Sequence, residues 1–212
     1  MYFRILHDDN TGEFTYLLAD PLAGEAVLID PRARDLPVLA ALLAERDLHL
    51  RWVLRTHHHD HQKPMEAQRL ASLGVPLVQG DSGPKSQPVV DGELFAFGSE
   101  ALRVMRTPGH TRACLSFAWR DRLFCGGLLA VQACPSQPFP AEPQQLWDSV
   151  TQRIFSLSDE TLLFTCHERH ARAVSTVLEQ RRWHPLFAQL SRDEFLTHMA
   201  ALPQQANHAS TV

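Results

Sequence analysis

Residues 14–19 and 26–29 are short, nearly continuous apolar runs, with Asp20, Pro21 and Gly24 between them. This pattern predicts two buried strands joined by a turn. The period then changes. Leu36, Leu39, Leu42 and Leu43 recur on one helical face, with Asp35 as the expected N-cap and Pro37 in the first turn. Residues 50–54 predict a strand that runs into Thr56-His57-His58-His59-Asp60-His61, and residues 64–73 a second helix stopped by Gly74. Residues 94–97 and 101–105 read as a strand pair, and 114–119 with 122–124 as a hairpin across Asp121. Residues 144–157 read as a helix, with Leu146, Val150, Ile154 and Leu157 at core spacing. Residues 161–165 read as a strand ending at Cys166-His167. Two further helices are expected over 171–181 and 192–200, and 203–212 as a frayed tail. Residues 134–143 contain four prolines and read as a surface loop.

Alternating strands and helices make this an α/β chain. Its 212 residues suit one domain spanning 1–212. The net charge of −4 gives no electrostatic reason to expect nucleic acid as a partner. No apolar run approaches the roughly 20 residues of a membrane span. Residues 1–8 lack a basic-then-apolar signal pattern, so a cytoplasmic protein is expected. Cys114, Cys125, Cys134 and Cys166 form no C-x-x-C pair and read as free thiols. Twelve histidines, by contrast, direct attention to metal chemistry.

The histidines are concentrated at strand ends. A strand end that opens into a loop can turn alternate residues toward one point, so His57 and His59 are expected to converge. A third imidazole, His110, lies in the tight turn Thr107-Pro108-Gly109-His110-Thr111, and a fourth, His167, follows a strand. Ligands and catalytic groups collect in such loops. His7, His49, His184, His198 and His208 have no such setting and read as structural or surface residues.

These stations resemble those of the metallo-β-lactamase superfamily: a strand with T-H-x-H-x-D-H, a G-H loop, an aspartate loop and a final histidine. Within it the chain is most similar to the persulfide dioxygenases. The likeness runs through Phe3-Arg4-Ile5-Leu6, Ala26-Val27-Leu28-Ile29-Asp30-Pro31, Thr107-Pro108-Gly109-His110-Thr111 and Leu146-Trp147-Asp148-Ser149-Val150. It implies a four-layer αββα sandwich with a site at one edge of two sheets. It also implies one non-haem iron held by two histidines and a carboxylate, with glutathione persulfide oxidised by O₂. The family's two histidines fall on His57 and His110.

The chain departs from that pattern at four stations. The family's aspartate falls on Gly127, in Phe124-Cys125-Gly126-Gly127-Leu128-Leu129. The histidine motif is one residue short, so Asp60 and His61 do not keep register with His57 and His59. The arginine that would hold the glutathione carboxylate falls on Ser136, and the H-D-Y stretch becomes His167-Glu168-Arg169. Replacing arginine by serine removes a bidentate, charge-assisted contact.

The resulting expectation is one Fe(II) or Zn(II), held weakly or not at all by His57, His59 and His110. Asp60, His61 and His167 are the catalytic candidates, and Cys125 or Cys166 an added soft ligand, redox thiol or apolar filler. The expected partner is a small thiol or persulfide such as glutathione persulfide, and a homodimer is compatible with this reading. Two other functions fit the same scaffold. One is a non-catalytic binding or regulatory protein. The other is a thioester hydrolase of the glyoxalase II kind, which Gly127 disfavours because its two metals need a bridging aspartate.

Overall fold

In the computed structural model, two six-stranded sheets pack face to face. Residues 1–58, 64–80, 86–87, 89–134, 136–168 and 172–202 are described. The first sheet has the order β1 (Tyr2–His7), β2 (Phe14–Asp20), β3 (Glu25–Ile29), β4 (His49–Leu54), β5 (Leu77–Val78) and β6 (Ser86–Gln87). The second runs β12 (Val174–Thr176), β11 (Leu162–Thr165), β10 (Arg122–Gly126), β9 (Leu115–Trp119), β8 (Glu100–Arg106) and β7 (Leu94–Phe97). Each sheet is antiparallel over part of its width and contains parallel pairs, β3–β4–β5–β6 in one and β10–β11 in the other.

Burial on both faces explains the near-continuous apolar runs. Every residue of β2 is buried. Its Phe14, Tyr16 and Leu18 face the second sheet and meet Phe117, Phe124 and Phe164 in the central core. Leu17 and Ala19 face outward, against Leu39 of α1 (Leu36–Glu45). Outside the second sheet, Leu123, Cys125 and Leu163 pack with Leu146 of α3 (Pro143–Asp148) and Phe195 of α5 (Arg192–Ala201). The four layers are therefore helix, sheet, sheet and helix, with α2 (Pro64–Ala71) between β4 and β5 and α4 (Val177–Trp183) after β12.

Several local expectations are corrected. Asp35 occupies the N-cap position of α1 without capping it, because its carboxylate pairs with Arg32 and a 3₁₀ turn (Ala33–Asp35) precedes the helix. The expected helix over 171–181 begins as strand β12, paired with β11, and turns helical only at Val177. Thr176 makes the switch: its side chain accepts a hydrogen bond from the Glu179 amide, capping α4. The helix after Pro143 continues from α3 as a π-helical segment (Ser149–Ile154). Strands β1, β5 and β6 have no counterpart among the expected elements, since their side chains do not carry the strong apolar pattern of β2. The expected tail over 203–212 lies outside the described residues. No helix among those residues is long and apolar enough to cross a membrane.

One contact couples the outer helix layer to the loop after β8. Gly109 has φ 142°, a conformation that disfavours side chains, and a Cβ there would lie 2.2 Å from Leu146 Cα. The Ser149 hydroxyl donates to the Pro108 carbonyl at 2.7 Å, tightening the same contact. Gly109→Ala should therefore destabilise the fold by about 2–4 kcal/mol, through backbone strain and overpacking together. Urea unfolding of the variant beside the parent checks this.

Candidate metal centre

The two sheets converge where β4, β8, β10 and β11 end. There the Thr56 carbonyl accepts a hydrogen bond from the Leu115 amide at 2.7 Å, joining one sheet to the other. The Phe14 amide donates to the Cys166 carbonyl, and the Tyr16 hydroxyl to that of Thr165. Gly126, at φ 59°, permits this closeness, since a Cβ there would lie 2.5 Å from Thr56 Oγ1. The strand ends are thus locked before any side chain of the site is considered.

Four potential ligands meet at this edge. His57, His110, Cys134 and His167 each offer one donor atom, and the four atoms lie within 4.8 Å of one another. His57 follows β4, His110 sits in the loop after β8, Cys134 follows β10 beyond a 3₁₀ turn (Val131–Ala133), and His167 follows β11. The imidazoles stand edge to face, with centroids 4.6 Å apart for His57–His110, 5.6 Å for His57–His167 and 5.7 Å for His110–His167. His110, Cys134 and His167 are buried, and His57 is partly exposed.

Two hydrogen-bonded supports fix the rings. The Asp30 carboxylate accepts from the Thr56 amide at 2.7 Å and the Thr56 hydroxyl at 2.9 Å. That hydroxyl, its proton committed to Asp30, accepts from His57 Nδ1, 3.0 Å away, which leaves Nε2 as the lone-pair nitrogen. On the other side, His110 Nε2 lies 3.2 Å from the Gln137 carbonyl and donates to it, so Nδ1 carries the lone pair. Gln137 answers with its side-chain amide on the His110 carbonyl, and its backbone amide donates to Cys134 Sγ at 3.3 Å. One glutamine therefore ties the Cys134 loop to the His110 turn.

Gly127 lies against this cluster. A Cβ there would sit 2.5 Å from His110 Nδ1, 2.7 Å from His110 Cε1 and 3.0 Å from His167 Cε1. The imidazoles occupy the space into which a side chain at 127 would project.

Of the sequence candidates, the structure brings His57, His110 and His167 together. His59, Asp60 and His61 lie outside the described residues, as does Arg169. Cys134 is the member that sequence reasoning missed, because the proline-rich stretch it opens reads as surface loop. Its burial, with only 2% of the residue exposed, was not legible there. Cys125 and Cys166 are not in the donor group. Burial pushes the Cys125 thiol up to about 12 and Cys166 well above the usual thiol range. Cys125 Sγ faces the Phe164 carbonyl at 3.4 Å, and Cys166 Sγ lies 3.9 Å from His57 Nδ1. Burial also raises the Cys134 thiol, against the lowering effect of the Gln137 and Ser136 amides.

A cavity of about 350 Å³ lies beside the centre rather than within it. Leu128, Leu163 and Phe187 supply apolar walls, with Glu168, Arg172 and His184 among the polar ones, and none of the four donors lines it. His184 is held by its own bonds, Nε2 to the Leu129 carbonyl at 3.0 Å and Nδ1 to the Leu186 amide at 3.1 Å.

The chain is 35% identical over 206 residues to the mitochondrial persulfide dioxygenase ETHE1 of Homo sapiens, covering 92% of this chain and 81% of that protein. It is 34% identical over 163 residues to a hydroxyacylglutathione hydrolase of Methylococcus capsulatus, covering 73% of this chain and 62% of that one. The crystal structure of ETHE1 from Myxococcus xanthus superposes with a TM-score of 0.84 at 32% identity, over 96% of this chain and 92% of that one. No protein-family model matches the chain.

Asp30 gives the centre's support a pH signature. Desolvation of its carboxylate, only partly offset by the Thr56 bonds, pushes Asp30 up to about 6. An unfolded aspartate titrates near about 3.9. The folded state thus binds this proton more tightly, so Asp30's contribution to stability is present below about pH 4 and is lost as pH rises through 6. Asp30→Asn removes that dependence. Relative to the parent, its unfolding free energy should rise between pH 4 and pH 7, as read by urea titrations across the range. A constant difference would contradict this.

Proposed function

The chain belongs to the persulfide dioxygenase family, and from that premise we propose that it is a divergent metal-dependent protein of thiol and persulfide chemistry. In this reading His57, His110 and His167 hold one Fe(II) or Zn(II), and activity on glutathione persulfide is weak or absent. The observation that carries it is Gly127: the family's carboxylate station holds a glycine whose side-chain space is filled by His110 and His167.

The residues present fit a metal ion. Three imidazoles and a thiol offer donor atoms within 4.8 Å of one another, and the partners of His57 and His110 leave one lone pair on each ring. A bound divalent ion would supply a Lewis-acidic centre able to hold a thiolate sulfur. Thr56 and Asp30 orient His57, Gln137 orients His110, and the burial of His110 and His167 keeps bulk water from their rings. His59 remains a further ligand candidate, and Asp60 and His61 candidates for proton handling, on sequence grounds.

The substrate side supports altered rather than ordinary activity. Ser136 stands where the family resemblance calls for an arginine, and serine offers no bidentate grip on a carboxylate. The neighbouring cavity, with Arg172 and Glu168 among its walls, is the candidate seat for a small thiol or persulfide. A thioester-hydrolase reading is less well supported, because a bridged pair of metals needs the carboxylate that Gly127 lacks.

Protein purified without added metal should carry about one metal ion per chain. Its turnover of glutathione persulfide, followed by O₂ uptake, should fall below the ordinary enzymatic range of about 1–1,000 per second. Turnover inside that range would overturn the weak-activity reading. Failure to take up metal under any loading condition would favour a non-catalytic binding protein. Gly127→Ala adds only a methyl group where His110 lies and should lower metal retention at least about tenfold, as for other disturbances of a ligand's support. Chelator competition measures it.

A further inference from the structure

Cys134 has no place in a centre of two histidines and a carboxylate, yet it lies inside the donor group. We propose that Cys134 is the fourth ligand, and that His57, His110, His167 and Cys134 form a closed three-histidine, one-thiolate site for Zn(II). The proposal rests on the metal-binding reading above and narrows it: with four protein ligands the ion keeps no open position for a substrate thiolate, which accords with absent rather than weak activity.

Three observations carry it. The first is proximity: zinc bonds of about 2.0–2.1 Å to imidazole and about 2.3 Å to thiolate place tetrahedral donors about 3.3–3.6 Å from one another. The four atoms lie within 4.8 Å, so side-chain rotations that close the group by about 1 Å bring them to one ion. The second is support. Gln137 bonds the His110 carbonyl, receives the His110 ring and donates to Cys134 Sγ, so two of the four ligands are positioned by one residue. The third is burial. His110, Cys134 and His167 are buried, and His57 is partly exposed.

The donor set also selects the ion. An oxygen-activating Fe(II) centre of this kind uses two histidines and a carboxylate and leaves positions open. Four protein ligands including a thiolate match a structural zinc site, which is four-coordinate and closed. Cys134 enters as thiolate, releasing its proton to solvent as the Zn–S bond forms; the imidazoles bind neutral, with no change of oxidation state. His57 comes from the first sheet and the other three ligands from the second, so the ion cross-links the sheets at their edge.

Co(II) substitution provides the test, because a cobalt–thiolate bond gives an intense near-ultraviolet charge-transfer band. The apoprotein loaded with Co(II) should show that band with the visible spectrum of a four-coordinate ion. Cys134→Ser should lose it, while Cys166→Ser should keep it. Cobalt bound without the band would overturn Cys134 as a ligand while leaving the three-histidine reading intact. Failure to bind either cobalt or zinc would overturn both. If Cys134→Ser does not fold, Cys134→Asp serves instead: it should bind cobalt without the band and shift the zinc-to-iron occupancy ratio toward iron. An unchanged ratio, or a band that persists, counts against the proposal.

Discussion

The approach of the two sheets at the Asp30–Thr56 clasp is the constraint on which the site depends. Asp30 accepts from the Thr56 amide and hydroxyl, and the Thr56 carbonyl takes the Leu115 amide of the opposite sheet. This closeness requires a residue without a side chain at 126. A buried carboxylate is costly, and that desolvation pushes Asp30 up to about 6. The same arrangement orients the His57 ring, so the strand junction and the first candidate ligand share one set of hydrogen bonds.

From that junction the site is assembled by chain topology. His57 comes from one sheet, and His110, Cys134 and His167 from the other. None of the four shares a secondary-structure element with another, so their proximity is a tertiary property. The long-range contacts that bring the strand ends together also set the ring geometry.

Much of the architecture was legible in the sequence because burial writes a strong signal. The apolar runs of β2 and β3, the Leu36–Leu39–Leu43 face of α1 and the hairpin of β9 and β10 are read from periodicity alone. Strand β12 was not legible, since Val174, Ser175 and Thr176 form too short a run to outweigh the helical pattern beside it. At the site, histidines at strand ends and a T-P-G-H turn pointed to His57, His59 and His110 as ligands and to His167 as a catalytic group; His167 joins His57 and His110 in the donor group, and His59 lies outside the described residues. Cys134 escaped because proline-rich composition predicts exposure, whereas the residue is buried and Gln137 ties its segment to His110. The filling of the space beside Gly127 could not be read either. A glycine in a sequence shows that there is no side chain, not what occupies the space beside it.

That filled space decides what position 127 can accept. A Cβ there would meet His110 Nδ1 at 2.5 Å and His167 Cε1 at 3.0 Å. A carboxylate introduced at 127 therefore meets a steric barrier before it can offer a ligand, and the His110 ring must be displaced first. The glycine acts by what it omits: the imidazoles keep their places as long as nothing projects from this residue.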